Sequence, residues 1–228
     1  TCKLRIAQII LKRFLLTSKP IIISTGLANF KEVEEVIKFI NETDPKYIEK
    51  KKVALLQCSS MYPIPDKDAN LNVINTYKEK FSINVGYSDH TEGSLAIEVA
   101  VAMGTEIIEV HFTDSRENKD FRDHKVSLTK DELIKFIQYV KKVKILKGSS
   151  IKKPTKSEVI NNHVHSFRRA IYPVRNLPKG HIINEKDLIT RRPAKGIGAN
   201  NYYKLIGLKL NKSVKKNEHL IFNLLKKQ

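Results

Sequence analysis

The chain has 228 residues, of which 41% are hydrophobic and 29% charged, a composition typical of a folded protein rather than a disordered one. No apolar run approaches the roughly 20 residues that a membrane-spanning helix needs, so the sequence argues against a membrane protein. The net charge of +18 raises nucleic acid as a partner. However, the lysines are scattered over predicted helix faces and no nucleic-acid-binding motif occurs, so we expect no nucleic-acid partner.

The predicted elements begin with a helix over Leu4 to Leu16. The start of the chain, Thr1 to Ala7, does not resemble a signal peptide, and we therefore expect a cytoplasmic protein. Four short apolar runs follow, and each leads into a polar cluster and then a helical pattern. Strands that alternate with helices in this way predict a parallel β/α fold. The four predicted strands are Ile21–Ile23, Val53–Leu56, Ile83–Val85 and Ile107–Val110.

The helices between these strands show one apolar stripe each. Val33, Val36, Ile37 and Ile40 follow the i, i+3, i+4, i+7 spacing of an amphipathic helix. The small apolar residues from Leu95 to Met103 predict a helix that ends at Gly104. Thr129 and Glu132 have the spacing of a capping box, which predicts the start of the next helix, over Leu133 to Val140.

Four β/α units are too few to close an eight-stranded barrel, which takes about 250 residues. We therefore predict an α/β fold in which residues 1–150 form the C-terminal half of a (β/α)₈ TIM barrel. Residues 151–163 are polar and are predicted to be a linker. Residues 164–228 are predicted to form a small β-rich domain, because short β-like pieces alternate there with Gly and Pro turns. Those pieces are Ala170–Val174, Ile182–Ile183, Leu188–Ile189 and His219–Phe222.

Polar residues follow every predicted strand of the half barrel, where parallel β/α folds bind their ligands. His90 and His111 come after consecutive strands, so both imidazoles could bind one divalent ion, although a single histidine there is more often structural. Ser24 and Ser88 could donate hydroxyl groups to a phosphate or carboxylate, or could simply cap their strands.

The loop after His111 is rich in charged residues and could supply an acid or base through Asp123 or His124. Its charge content by itself favours a solvated loop, which is the alternative to a catalytic role. No lysine lies at a clear strand end, which argues against a Schiff-base aldolase.

Five motifs resemble, in order and spacing, the N-acetylneuraminate (sialic acid) synthase family. The tail resembles the antifreeze-like (SAF) domain of that family, through 177–180, 185–188 and 191–198. The five motifs are Ile23–Gly26, Cys58–Pro63, Gly86–Thr91, Glu109–Thr113 and Arg122–Ser127.

The resemblance implies an enzyme that condenses phosphoenolpyruvate with N-acetylmannosamine or a related N-acetylated amino sugar. It implies that His90 and His111 hold the catalytic metal, Mn²⁺ or another divalent ion such as Mg²⁺. It further implies that Ser24 and Ser88 contact phosphoenolpyruvate. Contacts to the sugar would come from Ser60, Tyr62, Asp123 and, across a domain-swapped homodimer, Arg192.

Two departures from the family qualify this expectation. Ser60 stands where family members usually carry Asn, so a contact there is expected to be shorter or lost. The early barrel strands, on which the family carries phosphate-binding lysines and an acidic residue, are also not found in this sequence. A separate chain could supply them. The alternative is a truncated, non-catalytic fragment that serves at most as a carbohydrate-binding or dimerising module.

Overall fold

The computed structural model describes residues 2–226, and their side chains from residue 8 onward. The chain divides into two compact units, residues 1–148 and residues 149–228. Within the described residues, no helix combines the length and the apolar character needed to cross a membrane.

The first unit is built on a four-stranded parallel sheet of order β1-β2-β3-β4. Because all strands run the same way, their carboxyl ends meet at one edge of the sheet. The strands are β1 (Ile21–Ser24), β2 (Val53–Cys58), β3 (Asn84–Ser88) and β4 (Ile107–Glu109). The helices are α1 (Cys2–Leu16), α2 (Phe30–Thr43), α3 (Lys46–Glu49), α4 (Val73–Lys80), α5 (Leu95–Ala102), α6 (Arg122–Val126) and α7 (Lys130–Lys147).

Strand β2 lies in the middle of this sheet and all six of its residues are buried. A strand covered on both faces needs no polar alternation, which explains the continuous apolar run from Val53 to Leu56. Gly86 in β3 allows close packing, because a Cβ there would collide with the carbonyl oxygen of Ile107 and the side chain of Leu56.

The helices begin where local side chains satisfy their first N–H groups. The Asn29 side chain accepts a hydrogen bond from the N–H of Glu32 at 3.0 Å, and the Glu32 carboxylate accepts from the Asn29 N–H at 2.8 Å. This capping box starts α2 and contributes about 1 kcal/mol. The predicted box before α7 also forms, since the Thr129 N–H donates to the Glu132 carboxylate at 2.8 Å. Helix α2 then buries the predicted stripe at Val33, Ile37 and Ile40.

The second unit consists of short elements around a compact apolar core that includes Ile171, Leu188, Leu205 and Leu220. Two two-stranded antiparallel sheets form, one from β5 and β6 and one from β7 and β8. The strands are β5 (Ala170–Pro173), β6 (Leu188–Arg191), β7 (Lys209–Leu210) and β8 (Leu225–Lys226). The helices are α8 (Lys156–Ile160), α9 (His163–Ser166) and α10 (Tyr202–Leu205).

One carboxylate is fully enclosed in this second unit. Asp187 accepts hydrogen bonds from Arg175 at 2.6 Å and from the N–H of Asn184 at 3.0 Å, and His181 Nε2 lies 2.6 Å from its second oxygen. Burial opposes ionisation of Asp187, but the hydrogen bonds from His181, Asn184 and Arg175 outweigh it and lower the pKa of the carboxyl group. Asp187 therefore fixes the turn before β6 against Arg175 and His181.

The predicted alternation of four strands and helices is confirmed, as are the helix over Leu4 to Leu16 and the β-rich character of the second unit. Two local predictions are wrong. Ile182–Ile183 forms only an isolated bridge, between Ile182 and Lys209, and His219–Phe222 is not a strand. The polar segment predicted as a linker contains α8, which begins at a capping box between Thr155 and Glu158.

Candidate active site

The side chains after β3 and β4 converge at the carboxyl edge of the parallel sheet. The rings of His90 and His111 have centroids 5.1 Å apart and are inclined at 58°. Tyr62, from the loop after β2, packs against both, with its ring centroid 4.0 Å from that of His90 and 5.6 Å from that of His111. Three loops thus place two imidazoles and one phenol in direct contact.

The orientation of His90 is fixed by the backbone. The ring is 4% exposed, and its Nδ1 lies 2.9 Å from the carbonyl oxygen of Ser59. Because a carbonyl oxygen can only accept, Nδ1 carries the proton of this hydrogen bond. In the neutral ring, Nε2 then keeps its lone pair, which is the arrangement found in metal-binding histidines.

His111 faces a carboxylate. Its Nδ1 lies 3.9 Å from Oδ2 of Asp123, too far for a hydrogen bond but close enough for an electrostatic interaction. The guanidinium group of Arg122 lies 4.9 Å from the ring centroid of Tyr62, in cation–π geometry. Helix α6 therefore places the positive Arg122 beside Tyr62 and the negative Asp123 beside His111.

His124, the other candidate acid or base in this loop, is engaged elsewhere. Its Nδ1 lies 2.9 Å from Oγ1 of the buried Thr113. The structure thus brings Asp123, and not His124, to the neighbourhood of His111.

Ser88 is buried, and its hydroxyl donates to the Glu109 carboxylate at 2.7 Å. Glu109 is the last residue of β4 and is a site residue that the sequence reasoning did not single out. Its place at the start of the motif Glu109–Thr113, at a strand end, could have marked it as a candidate. The bond couples the ends of β3 and β4, the two strands that precede the histidines.

Ser24 and Ser60 are both exposed at the same edge. Ser60 lies directly over Gly26, and a Cβ added at Gly26 would collide with the Ser60 hydroxyl. A cavity of about 530 Å³ opens here between the ends of β1 and β2 and helices α2 and α4. Ser60 and Cys58 line it, whereas His90 and His111 do not.

Two other groups of this site remain protonated at neutral pH. Burial raises the pKa of the Cys58 thiol, and the nearby charge of Glu109 acts in the same direction. Burial also raises the pKa of Tyr62, helped by Cys58 and the Asp123 carboxylate. Tyr62 therefore retains a hydroxyl that can donate.

Within residues 2–226, no group of three or more His, Cys, Asp or Glu side chains has the arrangement of a complete metal site. His90 and His111 would supply two nitrogen ligands and leave the remaining positions to water or substrate oxygen. Such a donor set suits a divalent ion of intermediate hardness. The predicted contact residue Arg192 belongs to the second unit, where its guanidinium lies 5.5 Å from the ring centroid of Phe167.

Comparison with known proteins adds independent information about this chain. The profile of the NeuB family matches residues 6–152, and that of the SAF domain matches residues 168–225. The first match alone covers more than half of the chain. The chain belongs to the NeuB family. The resemblance predicted from the five motifs and the tail is therefore confirmed, as is the fold class of a partial TIM barrel followed by a SAF domain.

Among characterised relatives, the chain is similar to the N,N'-diacetyllegionaminic acid synthase of Campylobacter jejuni, with 36% identity over 208 residues. That match covers 91% of this chain and 60% of the relative. The chain is also similar to a pseudaminic acid synthase of Campylobacter jejuni, with 34% identity over 198 residues, or 86% of this chain and 55% of the relative.

Among solved structures, the chain is similar to the N-acetylneuraminic acid synthetase of Leptospira borgpetersenii in complex with citrate. The TM-score is 0.62 at 30% identity, and the match covers 72% of this chain and 54% of that one. This member of the NeuB family thus spans little more than half of each relative named here.

Proposed function

We propose that this chain forms part of a nonulosonic acid synthase, which condenses phosphoenolpyruvate with an N-acetylated amino sugar in the cytoplasm. The observation that carries the proposal is the pair of imidazoles after β3 and β4, with ring centroids 5.1 Å apart at the ligand-binding edge of the sheet. Membership of the NeuB family and similarity to proteins named as legionaminic and pseudaminic acid synthases support the reaction class.

His90 and His111 would hold the divalent ion, which we propose to be Mn²⁺, with Mg²⁺ as a substitute. The fixed Nδ1–H of His90 supports this role, because it directs Nε2 toward a ligand. When bound, such an ion polarises the aldehyde oxygen of the open-chain sugar.

The proposed reaction joins C3 of phosphoenolpyruvate to the aldehyde carbon of the sugar. Water then adds at C2, and cleavage of the bond between C2 and the phosphate oxygen releases inorganic phosphate. In this scheme Ser24 and Ser88 bind phosphoenolpyruvate. Ser88 already donates to Glu109, and so contacts the acceptor oxygens of phosphoenolpyruvate only by exchanging this partner.

The sugar would contact Tyr62, Asp123 and Ser60. Asp123 lies beside His111, where its carboxylate can accept hydrogen bonds from sugar hydroxyls and hold the aldehyde in place. The protonated hydroxyl of Tyr62 can donate to the sugar. We propose N-acetylmannosamine as the sugar, with the precursors of legionaminic and pseudaminic acids as the alternatives to be compared.

Two partner chains complete the proposal. In a domain-swapped homodimer, Arg192 of one copy would reach the sugar bound by the other. A polypeptide carrying the other barrel strands would supply the parts of the site that lie outside this chain. The match covers 60% of the Campylobacter synthase, and the unmatched part defines what such a polypeptide would contain.

The test is phosphate release from phosphoenolpyruvate and N-acetylmannosamine with Mn²⁺. The chain is assayed alone and together with a polypeptide that corresponds to the unmatched part of the Campylobacter synthase. We expect release in the mixture, loss of release with His111→Ala, and no change with the exposed control His219→Ala.

Absence of phosphate release in every combination would overturn the proposal. It would favour the non-catalytic alternative, in which the chain serves only as a carbohydrate-binding or dimerising module. Equal activity of His111→Ala and the native chain would contradict the role given to the imidazole pair.

A further inference from the structure

Three lysines surround one cavity in the second unit, on a surface that the proposed function does not use. The cavity has a volume of about 890 Å³. It is large enough for a metabolite of several carbon atoms. Its lining residues are Lys179, Gly180, Ile182, Lys209, Leu210, Asn211 and Lys226.

Backbone hydrogen bonds hold the walls of this cavity. The N–H of Gly180 donates to the carbonyl of Leu210 at 2.8 Å, and the N–H of Leu210 donates to the carbonyl of His181 at 2.9 Å. Gly180 has φ +90°, a backbone conformation that favours glycine and lets the chain turn here. The lysines are thus carried by a fixed framework and not by a loose loop.

Two of these lysines are directly opposed across a sheet. Lys209 in β7 pairs with Lys226 in β8 as a cross-strand partner. Like charges in this position destabilise a β pair. An anion bound between the two ammonium groups would remove this repulsion.

No acidic side chain neutralises the three lysines among the residues that the structure describes, since none of the three takes part in an ion pair there. The enclosed carboxylate of this unit, Asp187, is bound to Arg175 and His181. The positive charge of the cavity is therefore available to a ligand.

We propose that this cavity binds a metabolite that carries a phosphate or carboxylate group. Lysine ammonium groups bind such oxyanions as point charges. The lining favours a small anion over a nucleic acid, because it contains neither an aromatic side chain on which a base could stack nor an arginine that could read a base edge. This site is independent of the proposed synthase reaction.

The full chain is titrated calorimetrically with inorganic phosphate, with phosphoenolpyruvate and with N-acetylneuraminate, which separates phosphate from carboxylate recognition. We expect saturable binding of at least one probe. The triple variant Lys179→Gln, Lys209→Gln, Lys226→Gln should weaken that binding about tenfold or more. A matched control, Lys186→Gln, Lys195→Gln, Lys204→Gln, removes the same charge from exposed positions outside the cavity and should change affinity by less than about twofold.

A second measurement uses the opposed pair. Without ligand, Lys209→Gln should raise the melting temperature, because the repulsion from Lys226 is removed. It should also reduce the stabilisation that the bound anion gives to the native chain. The proposal is overturned by a lack of saturable binding to all three probes, by equal losses in the two triple variants, or by tighter binding to single-stranded DNA than to the small anions.

Discussion

Nδ1 of His90 is hydrogen-bonded to the backbone carbonyl of Ser59, at 2.9 Å, so a residue after β3 is oriented by the loop after β2. The ring cannot turn without breaking this bond. The direction of Nε2 is therefore fixed, and the ring of His111 lies close by, with the two centroids 5.1 Å apart.

This arrangement predicts how the chain binds metal by itself. His90→Ala and His111→Ala should each weaken Mn²⁺ binding about tenfold or more, because each removes one of the two proposed nitrogen ligands. Electron paramagnetic resonance of free Mn²⁺ during titration measures the affinity. His219→Ala, an exposed histidine of the second unit, serves as the control. Unchanged affinity in both site variants would rule out a shared ion at this position.

Two glycines should respond differently to the same substitution. Gly86→Ala should destabilise the protein by about 2 kcal/mol or more, because the new methyl group collides with the backbone carbonyl of Ile107 inside the sheet. Gly26→Ala meets only the hydroxyl of the exposed Ser60, which can rotate away, and should cost less than about 1 kcal/mol. Urea unfolding measures both. A larger loss for Gly26→Ala than for Gly86→Ala would show that Ser60 is held rigidly.

Asp187 should be the most sensitive polar position of the second unit. Asp187→Asn should destabilise this unit by about 3 kcal/mol, since Arg175 loses its ionic partner and the buried hydrogen-bond network around this position is broken. Its neighbour Glu185 is exposed, so Glu185→Gln is the matched control. Thermal unfolding followed by circular dichroism compares the two.

The same carboxylate predicts that the free energy of unfolding falls at acid pH. Because folding lowers the pKa of Asp187, its contribution is fully present above the ordinary Asp pKa, near 3.8. The contribution is lost as the pH falls from there through the lowered value. The stability difference between the native chain and Asp187→Asn should therefore shrink below about pH 4. A difference that grows on acidification would contradict this sign.

The surface ion pair between Arg116 and Glu132 should make a smaller, acid-sensitive contribution to the stability of the first unit. Arg116 lowers the pKa of Glu132 to about 2, assisted by the N–H of Thr129. Glu132→Gln should cost about 1 kcal/mol at neutral pH, a value reduced for solvent screening because the side chain is 35% exposed. The contribution is present above the ordinary Glu pKa of 4.5 and is lost as the pH falls toward 2. Exposed Glu117 provides the control through Glu117→Gln.

The sequence predicted the half barrel well because short apolar runs followed by polar residues mark β1, β2 and β4. In β3, Asn84 and Gly86 interrupt the apolar residues. Strands β7 and β8 were missed because each has only two residues, too few for any periodicity. The bridge between Ile182 and Lys209 is likewise set by tertiary contacts rather than by local sequence.

At the site, the sequence predicted the residue types and their positions at strand ends. It did not predict the hydrogen-bond partners of these residues. The orientation of His90 comes from a backbone carbonyl, which every residue possesses and no pattern marks. The bond between Ser88 and Glu109 depends on the register of β3 and β4, which places these two residues opposite each other. Both hydrogen bonds depend on the three-dimensional fold, so the sequence alone did not predict them.

Strand β4 has only three residues and pairs with β3 alone among the strands that the structure describes. His111 thus follows an edge strand that is the shortest of its sheet, and the His111 carbonyl accepts a hydrogen bond from the N–H of Leu128 at 2.9 Å. His90, in contrast, follows a strand that is paired on both sides. If β4 frays, the imidazoles separate even though the rest of the sheet stays intact. A further strand that pairs with the free side of β4 would therefore hold His90 and His111 close together. The affinity for a divalent ion would then show whether that strand is in place.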